Sequence, residues 1–370
     1  MSGPLVFISA GETSGDRLGA GLMRNERDLF GHDTTFIGMG GPLMRAEQPG
    51  TLLDMKAVQA AGLIEITPKL IGIVRTFVTL KHLVKEKKPD LAILIDFPDF
   101  HLRLASDLKA KGIPVLFYGA PQAWAWRPER AKIIKERVDA LAVLFPFEEA
   151  WFRRRGINAY FVGHPVFDAE PRWNFRGGKR DFVIGLFPGS REHEVSAILP
   201  VQLEAARILK KTSLPFRFRL FSAPGREKQN ERLQRDLGFI VEAGKEDDAL
   251  DLAWCAAGTV TLELACSEIP WILTHRIHPL SYQLVKRKIQ VPNLGLPHVI
   301  LGKKVAPELV QSKCLPLPLL RETVRLYYDE RWRSQIREEW RRMKSEVNSA
   351  KAMNLTKLAA SFLRKESTSR

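Results

Sequence analysis

Two carboxylates close the apolar run Leu91-Ala92-Ile93-Leu94-Ile95-Asp96-Phe97-Pro98-Asp99-Phe100. A carboxylate at the end of a buried strand, facing a cleft, can take the proton of a substrate hydroxyl as a general base. Asp99 lies past the strand and is the freer to reach a ligand. Asp96 reads as tying down the turn through its own backbone; alternatively, both cap the next helix near His101. A second grouping runs from Val183 through Phe187-Pro188-Gly189-Ser190-Arg191 into a helical pattern. A helix start offers unpaired N–H groups and the positive end of a dipole, so an anion bound there needs little more than a nearby cation. Arg191 is that cation, and its guanidinium fork suits the oxygens of a diphosphate. A solvated arginine beside an ordinary turn is the plainer alternative. Ala257-Gly258-Thr259-Val260-Thr261-Leu262-Glu263 repeats the arrangement, with Glu263 one turn into the helix, where it can accept two ribose hydroxyls. Trp124 and Trp126, with Arg127 adjacent, either stack on a sugar or a lipid chain or belong to the core.

The elements that must position these groups form two α/β halves. Residues 4–150 alternate strand and helix patterns, with strands expected at Val6 to Ser9, Thr35 to Ile37, Leu91 to Asp96, Val115 to Tyr118 and Ala140 to Leu144. Two glycine-bearing loops, Gly11 to Asp16 and Gly38 to Pro42, then fall at the carboxyl ends of strands, where open α/β sheets bind ligands. From Phe167 to Arg180 prolines, glycines and charges suggest a linker. A second α/β unit is expected with strands at Phe182 to Leu186, Phe216 to Phe221, Phe239 to Val241, Leu252 to Cys255 and Trp271 to Thr274, followed by helices at Val324 to Met343 and Ala350 to Leu363.

The chain has 370 residues and a formal net charge of +15, an excess that suits nucleic acid, an anionic membrane surface or phosphorylated small molecules. A nucleic-acid-binding protein should interleave basic residues with exposed aromatics along one face; here the basic residues are scattered, densest at Arg153-Arg154-Arg155 and in the C-terminal helices, so no nucleic acid is expected. The three cysteines, Cys255, Cys266 and Cys314, lack metal-ligand spacing and read as reduced packing residues of a cytosolic protein, with neither metal nor cofactor. No uncharged apolar run is long enough to span a bilayer. Thr67-Pro68 reads as the start of a helix reaching Lys88, with Leu70, Ile73, Val74, Phe77, Leu80 and Val84 as its core stripe. Ile71 and Val78 fall outside that stripe. Together with Leu63, Ile64, Ile66 and the surrounding lysines and arginines they suit a helix lying on an anionic membrane, or else an ordinary amphipathic helix.

Taken in order, Ala10 to Asp16, Gly38 to Pro42, Asp96 to Phe100, Gln122 to Arg127, Pro146 to Glu148, Phe161 to Pro165, Pro188 to Arg191 and Gly258 to Glu263 resemble the lipid-A-disaccharide synthases, inverting glycosyltransferases of GT-B architecture. The resemblance implies two facing Rossmann-like domains with parallel sheets and an interdomain cleft. Residues 1–168 would bind the acceptor and 169–340 the UDP-sugar, while 341–370 would form a C-terminal helix packing back on the first domain. It implies transfer of 2,3-diacylglucosamine from UDP to the 6-hydroxyl of 2,3-diacylglucosamine 1-phosphate, giving a β-1,6 disaccharide, by an enzyme lying peripherally on the inner face of the inner membrane; a homo-oligomer is compatible with it. Asp99 and Arg191 would be catalytic. Glu12, Ser14, Asp96, Trp126, Ser190, Gly258, Thr259, Glu263 and His298 would contact substrate. Two positions depart from the pattern: Ala257 stands where the family has serine, and His298 where it has asparagine. The rival enzyme of the same fold is a UDP-sugar epimerase, for which the apolar helix near residue 70 would be surplus.

Overall fold

The computed structural model describes residues 3–26, 34–56, 66–178, 181–245, 247–277, 282–283 and 288–367. The chain divides into one unit of Met1–Pro165 with Ala350–Arg370 and a second of Val166–Ser349. The first holds seven strands, β1 (Leu5–Ala10), β2 (Thr35–Gly40), β3 (Leu52–Asp54), β4 (Leu91–Ile95), β5 (Val115–Tyr118), β6 (Ala140–Val143) and β7 (Ala159–Phe161), in the order β3-β2-β1-β4-β5-β6-β7. Every pairing is parallel. Helices cover both faces of such a sheet, so its strands bury both sides and read as continuous apolar runs; every residue of β4 is fully buried.

In the second unit β9 (Phe182–Phe187), β10 (Phe216–Leu220), β11 (Glu242–Ala243), β13 (Leu252–Cys255), β14 (Trp271–His275) and β15 (Glu308–Val310) form a parallel sheet ordered β11-β10-β9-β13-β14-β15. Two short strands, β8 (Asn174–Phe175) and β12 (Ala249–Leu250), pair separately. The class is therefore the expected α/β one, with a Rossmann-like parallel sheet in each unit.

Several expectations need correction. The segment read as a linker contributes to the second core: Trp173 is buried, its ring 5.0 Å from that of Phe187 and 5.6 Å from that of Phe221. A strand at Phe239 to Val241 does not form, because the Val241 amide donates to the Gln234 side chain at 2.7 Å and pairing starts only at Glu242. The expected Val324 to Met343 helix is two helices, Pro316–Tyr328 and Glu330–Ser349, since Asp329 turns out of the first and accepts the Trp332 amide at 2.8 Å to cap the second. That second helix spans position 341, so the chain returns to the first unit at Ala350. The last helix, Leu355–Ser367, places Leu358 and Ala359 in the core of the first sheet.

The helix Ile66–Lys87 already includes Thr67 and Pro68 in its first turn. Leu80 and Val84 are buried as expected, but Val74 joins Ile71 and Val78 in facing water, at 52%, 54% and 58% exposure. Leu63 and Ile64 lie outside the described residues.

Candidate active site

In both units the strand order reverses at the first strand of the sheet, between β1 and β4 and between β9 and β13. Two connections leave there toward opposite faces of the sheet and open a crevice at the strand carboxyl ends, the ligand position of open α/β sheets. The four loops at these two points carry most of the residues selected from the sequence.

After β1, Gly11 lies under the ring of Phe97: a Cβ there would come within 2.4 Å of it. The helix Thr13–Glu26 follows, with Glu12 half-buried and Ser14 exposed at its start. Asp16 is buried and accepts the amides of Gly41, Leu43 and Met44 at 2.9 to 3.0 Å, which fastens the Gly38 to Pro42 loop to this helix.

After β4 the backbone makes an unusual corner. Asp96 and Phe97 both take left-handed conformations, at φ of 50° and 49°, a region that bulky residues rarely enter. The helix Pro98–Lys109 then carries Asp99 in its first turn with 76% of its side chain exposed. Asp99 Oδ1 meets the guanidinium of Arg130 and, at 3.5 Å, that of Arg127. Both guanidiniums lie over Trp126, 4.1 Å (Arg127) and 5.3 Å (Arg130) from its ring centroid, in cation–π geometry. A carboxylate, two arginines and an indole thus share one patch. Arg130 is missed by the sequence reading because its side chain is nearly buried in the short helix Arg130–Arg137, which looks on sequence like a solvated basic turn.

Inside the same corner His101 is fully buried. Its Nδ1 lies 2.7 Å from the Asp96 carbonyl and its Nε2 2.9 Å from Ser9 Oγ. A carbonyl can only accept, so Nδ1 carries the proton and Nε2 accepts from the serine hydroxyl. Burial pushes the imidazole down to about 4, which keeps it neutral.

In the second unit Gly189, at φ 113°, turns the chain after β9; a Cβ there would lie 2.8 Å from Glu194 Oε2 and 3.4 Å from the Ala256 Cβ. Glycine is what lets the loops after β9 and β13 approach. Arg191 caps the helix Glu192–Leu209, with 61% of its side chain exposed. Ser190 and Thr259 are exposed, as is Gly258 at φ 149°. The helix start is less open to an anion than the sequence suggests: Glu194 accepts the Arg191 amide and touches its guanidinium, each at 3.3 Å. Glu263 likewise gives one oxygen, Oε2, to Arg172 at 2.8 Å, so the expected bidentate grip on a ribose would have to displace that arginine.

The assignment of His298 as a donor-binding residue is not supported. It is fully buried against Trp271 and Trp340. Nε2 accepts the Ala306 amide at 2.9 Å and Nδ1 donates to Glu308 at 2.7 Å, so both ring nitrogens are spent inside the fold. Glu308 also accepts the Leu294 and Gly295 amides, making the pair a tether for the loop from Pro292. Among the described residues no His, Cys, Asp and Glu cluster could hold a metal ion.

The lipid-A-disaccharide synthetase family profile matches residues 6–362. The chain belongs to this family. The lipid-A-disaccharide synthase of Trichlorobacter lovleyi is 38% identical over 347 residues, covering 90% of each chain, and that of Nitrosococcus oceani is 33% identical over 388 residues, covering 100% of this chain and 99% of its own. Among solved structures, MurG of Acinetobacter baumannii matches with a TM-score of 0.54 at 13% identity, covering 98% of this chain and 99% of that one. The UDP-GlcNAc 2-epimerase of Neisseria meningitidis bound to UDP-GlcNAc matches at 0.58 and 10%, covering 99% of each. At such identity these structures share the GT-B fold alone, and the epimerase alternative is not favoured. The chain is a hexosyltransferase of lipid A disaccharide synthesis.

Within this synthase the two neighbouring tryptophans have separate jobs. Trp126 faces the Asp99 patch, whereas Trp124 is buried and donates to Glu148 at 2.9 Å. The other Glu148 oxygen accepts the Leu144 and Phe145 amides at 3.1 Å. Burial outweighs these three donors and pushes Glu148 up to about 7. A carboxyl whose folded value is raised holds more protons folded than unfolded, so its contribution is complete below the unfolded value near 4.5 and is lost as pH rises through about 7. Glu148→Gln should therefore remove ~3 kcal/mol of pH-dependent stability across that window, read as a flatter dependence of Tm on pH between 4.5 and 8. An unchanged slope would mean the carboxyl is not the titrating group.

Proposed function

We propose that the first unit binds 2,3-diacylglucosamine 1-phosphate and the second UDP-2,3-diacylglucosamine, and that the 6-hydroxyl of the acceptor displaces UDP in one in-line step, giving the β-1,6 disaccharide 1-phosphate. The observation that carries this is that Asp99, in the first turn of the helix after β4, and Arg191, at the cap of the helix after β9, stand at the switch points of their sheets. Asp99 takes the hydroxyl proton. Its Oδ1 is held by Arg127 and Arg130, which leaves Oδ2 for the substrate. Trp126 offers a face for the acceptor sugar, and Glu12, Ser14 and Asp96 border the same crevice. Arg191, with Ser190 and the Gly258-Thr259 turn, stabilises the charge that develops on the departing diphosphate. Glu263 exchanges Arg172 for the ribose. Mass spectrometry of the products tests the assignment: the disaccharide should form only with both substrates present, and a new isomer of the UDP-sugar formed without acceptor would overturn it.

Both substrates carry acyl chains, so the enzyme must work at the bilayer. No described helix is long and apolar enough to cross a membrane. We infer peripheral binding on the inner face of the inner membrane through Ile71, Val74 and Val78, which at spacings of three and four lie along one face of the helix Ile66–Lys87. Arg75, Lys85 and Lys87 on that helix add attraction of about 1 kcal/mol each near an anionic surface, screened within ~8 Å in physiological salt, while Lys81 is paired with Asp107 at 2.7 Å. Salt should therefore weaken binding to phosphatidylglycerol vesicles without abolishing it. Ile71→Ser/Val74→Ser/Val78→Ser should remove the salt-resistant part, and equal binding by this triple variant would assign the contact elsewhere.

A further inference from the structure

We propose that His101, held by Ser9, is a positioning residue that sets the Asp96-Phe97 corner and through it the place of Asp99. The inference rests on Asp99 being the base.

Two successive left-handed residues that are not glycine will not persist unless their surroundings fix them. The Asp96 amide is already fixed, donating to the Tyr118 carbonyl at the end of β5 at 2.9 Å. The Asp96 carbonyl lies at a half-buried corner against the fully buried His101 ring, where an unpartnered acceptor is costly. His101 Nδ1–H supplies its donor at 2.7 Å, while the His101 amide donates to the Phe97 carbonyl at 3.0 Å. One residue thus ties both carbonyls of the corner. Ser9 reaches Nε2 from the neighbouring strand β1 and holds the imidazole in the tautomer that donates from Nδ1. Phe97, Phe100 and Phe117 pack around the imidazole at 5.6 to 6.3 Å between centroids and fix its plane. Asp99 stands two residues past Phe97. A corner that relaxed into right-handed geometry would carry the carboxylate away from Arg127 and Arg130.

The test uses three variants of the full chain. His101→Leu keeps roughly the volume and removes both ring hydrogen bonds, to the Asp96 carbonyl and to Ser9, while its amide still meets the Phe97 carbonyl. It should lower kcat about 100-fold, the cost of misplacing a reacting group by roughly 1 Å, with the KM for the UDP-sugar unchanged. His101→Asn places an amide N–H near the position of Nδ1 and should restore kcat to within about five-fold of the parent; Ser9→Ala, which removes the partner of Nε2 and leaves the packed ring with its Nδ1 donor, should cost about three-fold. A structural role alone would lower the amount of folded enzyme in all three and leave kcat per active site, titrated with UDP, unchanged; that outcome overturns the proposal. The deciding readout is His101→Leu combined with Asp99→Asn. If His101 acts through Asp99, the double variant is no slower than Asp99→Asn alone; additive losses would refute positioning. Should Asp99→Asn be fully active, the assignment of the base fails first and is recognised separately.

Discussion

Asp99→Asn is expected to lower kcat by roughly 10²- to 10⁴-fold, the usual contribution of a general base, while UDP binding stays as it is. The amide keeps the shape of the carboxylate and its Oδ1 can still accept from both arginines, but it cannot take a proton. The neighbouring Asp96→Asn is the matched control. Its main chain forms the corner, with φ 50° and its carbonyl on His101, and asparagine tolerates the left-handed region as well as aspartate does. Asp96→Asn should therefore keep kcat within about ten-fold of the parent, with its effect falling on the acceptor KM, because Asp96 borders the acceptor crevice and holds the corner through its main chain rather than its side chain. An inactive Asp96→Asn beside an active Asp99→Asn would move the base to Asp96.

The second large effect is expected at Arg191. Losing a charge-assisted contact to the leaving diphosphate should cost on the order of 2 to 4 kcal/mol of transition-state stabilisation, or ~30- to 1000-fold in kcat/KM for Arg191→Ala. Arg191→Lys keeps the charge without the fork and should fall between, at about ten-fold. The helix itself should survive either change, because the cap uses the backbone amide of position 191 on Glu194 rather than the guanidinium. Steady-state kinetics with saturating acceptor measure this; near-parental turnover in both variants would remove Arg191 from the mechanism. The contact with Glu194 makes the arginine a group that must exchange partners when UDP arrives.

The sequence made the sheets legible because buried parallel strands are uninterrupted apolar runs, and β5 and β13 occur at the residues expected. The short edge strands β3, β7, β11 and β15 were not, since two or three residues carry no period and are made by pairing alone. That Asp99 and Arg191 stand exposed at the starts of the helices after β4 and β9 was legible, because an apolar run ending at a proline or glycine turn marks a strand end. Their supports were not. Arg172 sits in the stretch read as a linker and Arg130 in a short basic helix that no motif marks, and only the fold shows Arg130 on Asp99 and Arg172 on Glu263. His101 is invisible as a corner clamp until Ser9, 92 positions earlier, is seen beside it. His298 entered the site only by standing where the family has asparagine, and its burial against Trp340 depends on a helix far along the chain.

The central claim is a single displacement by a hydroxyl that Asp99 activates and a UDP that Arg191 helps to release. The most direct measurement is the anomeric configuration of the disaccharide, read by proton NMR on product made from the α-linked UDP donor. One displacement inverts the centre, so the account predicts the β-1,6 linkage alone. An α-linked product would require two displacements or a front-face mechanism, and would contradict it.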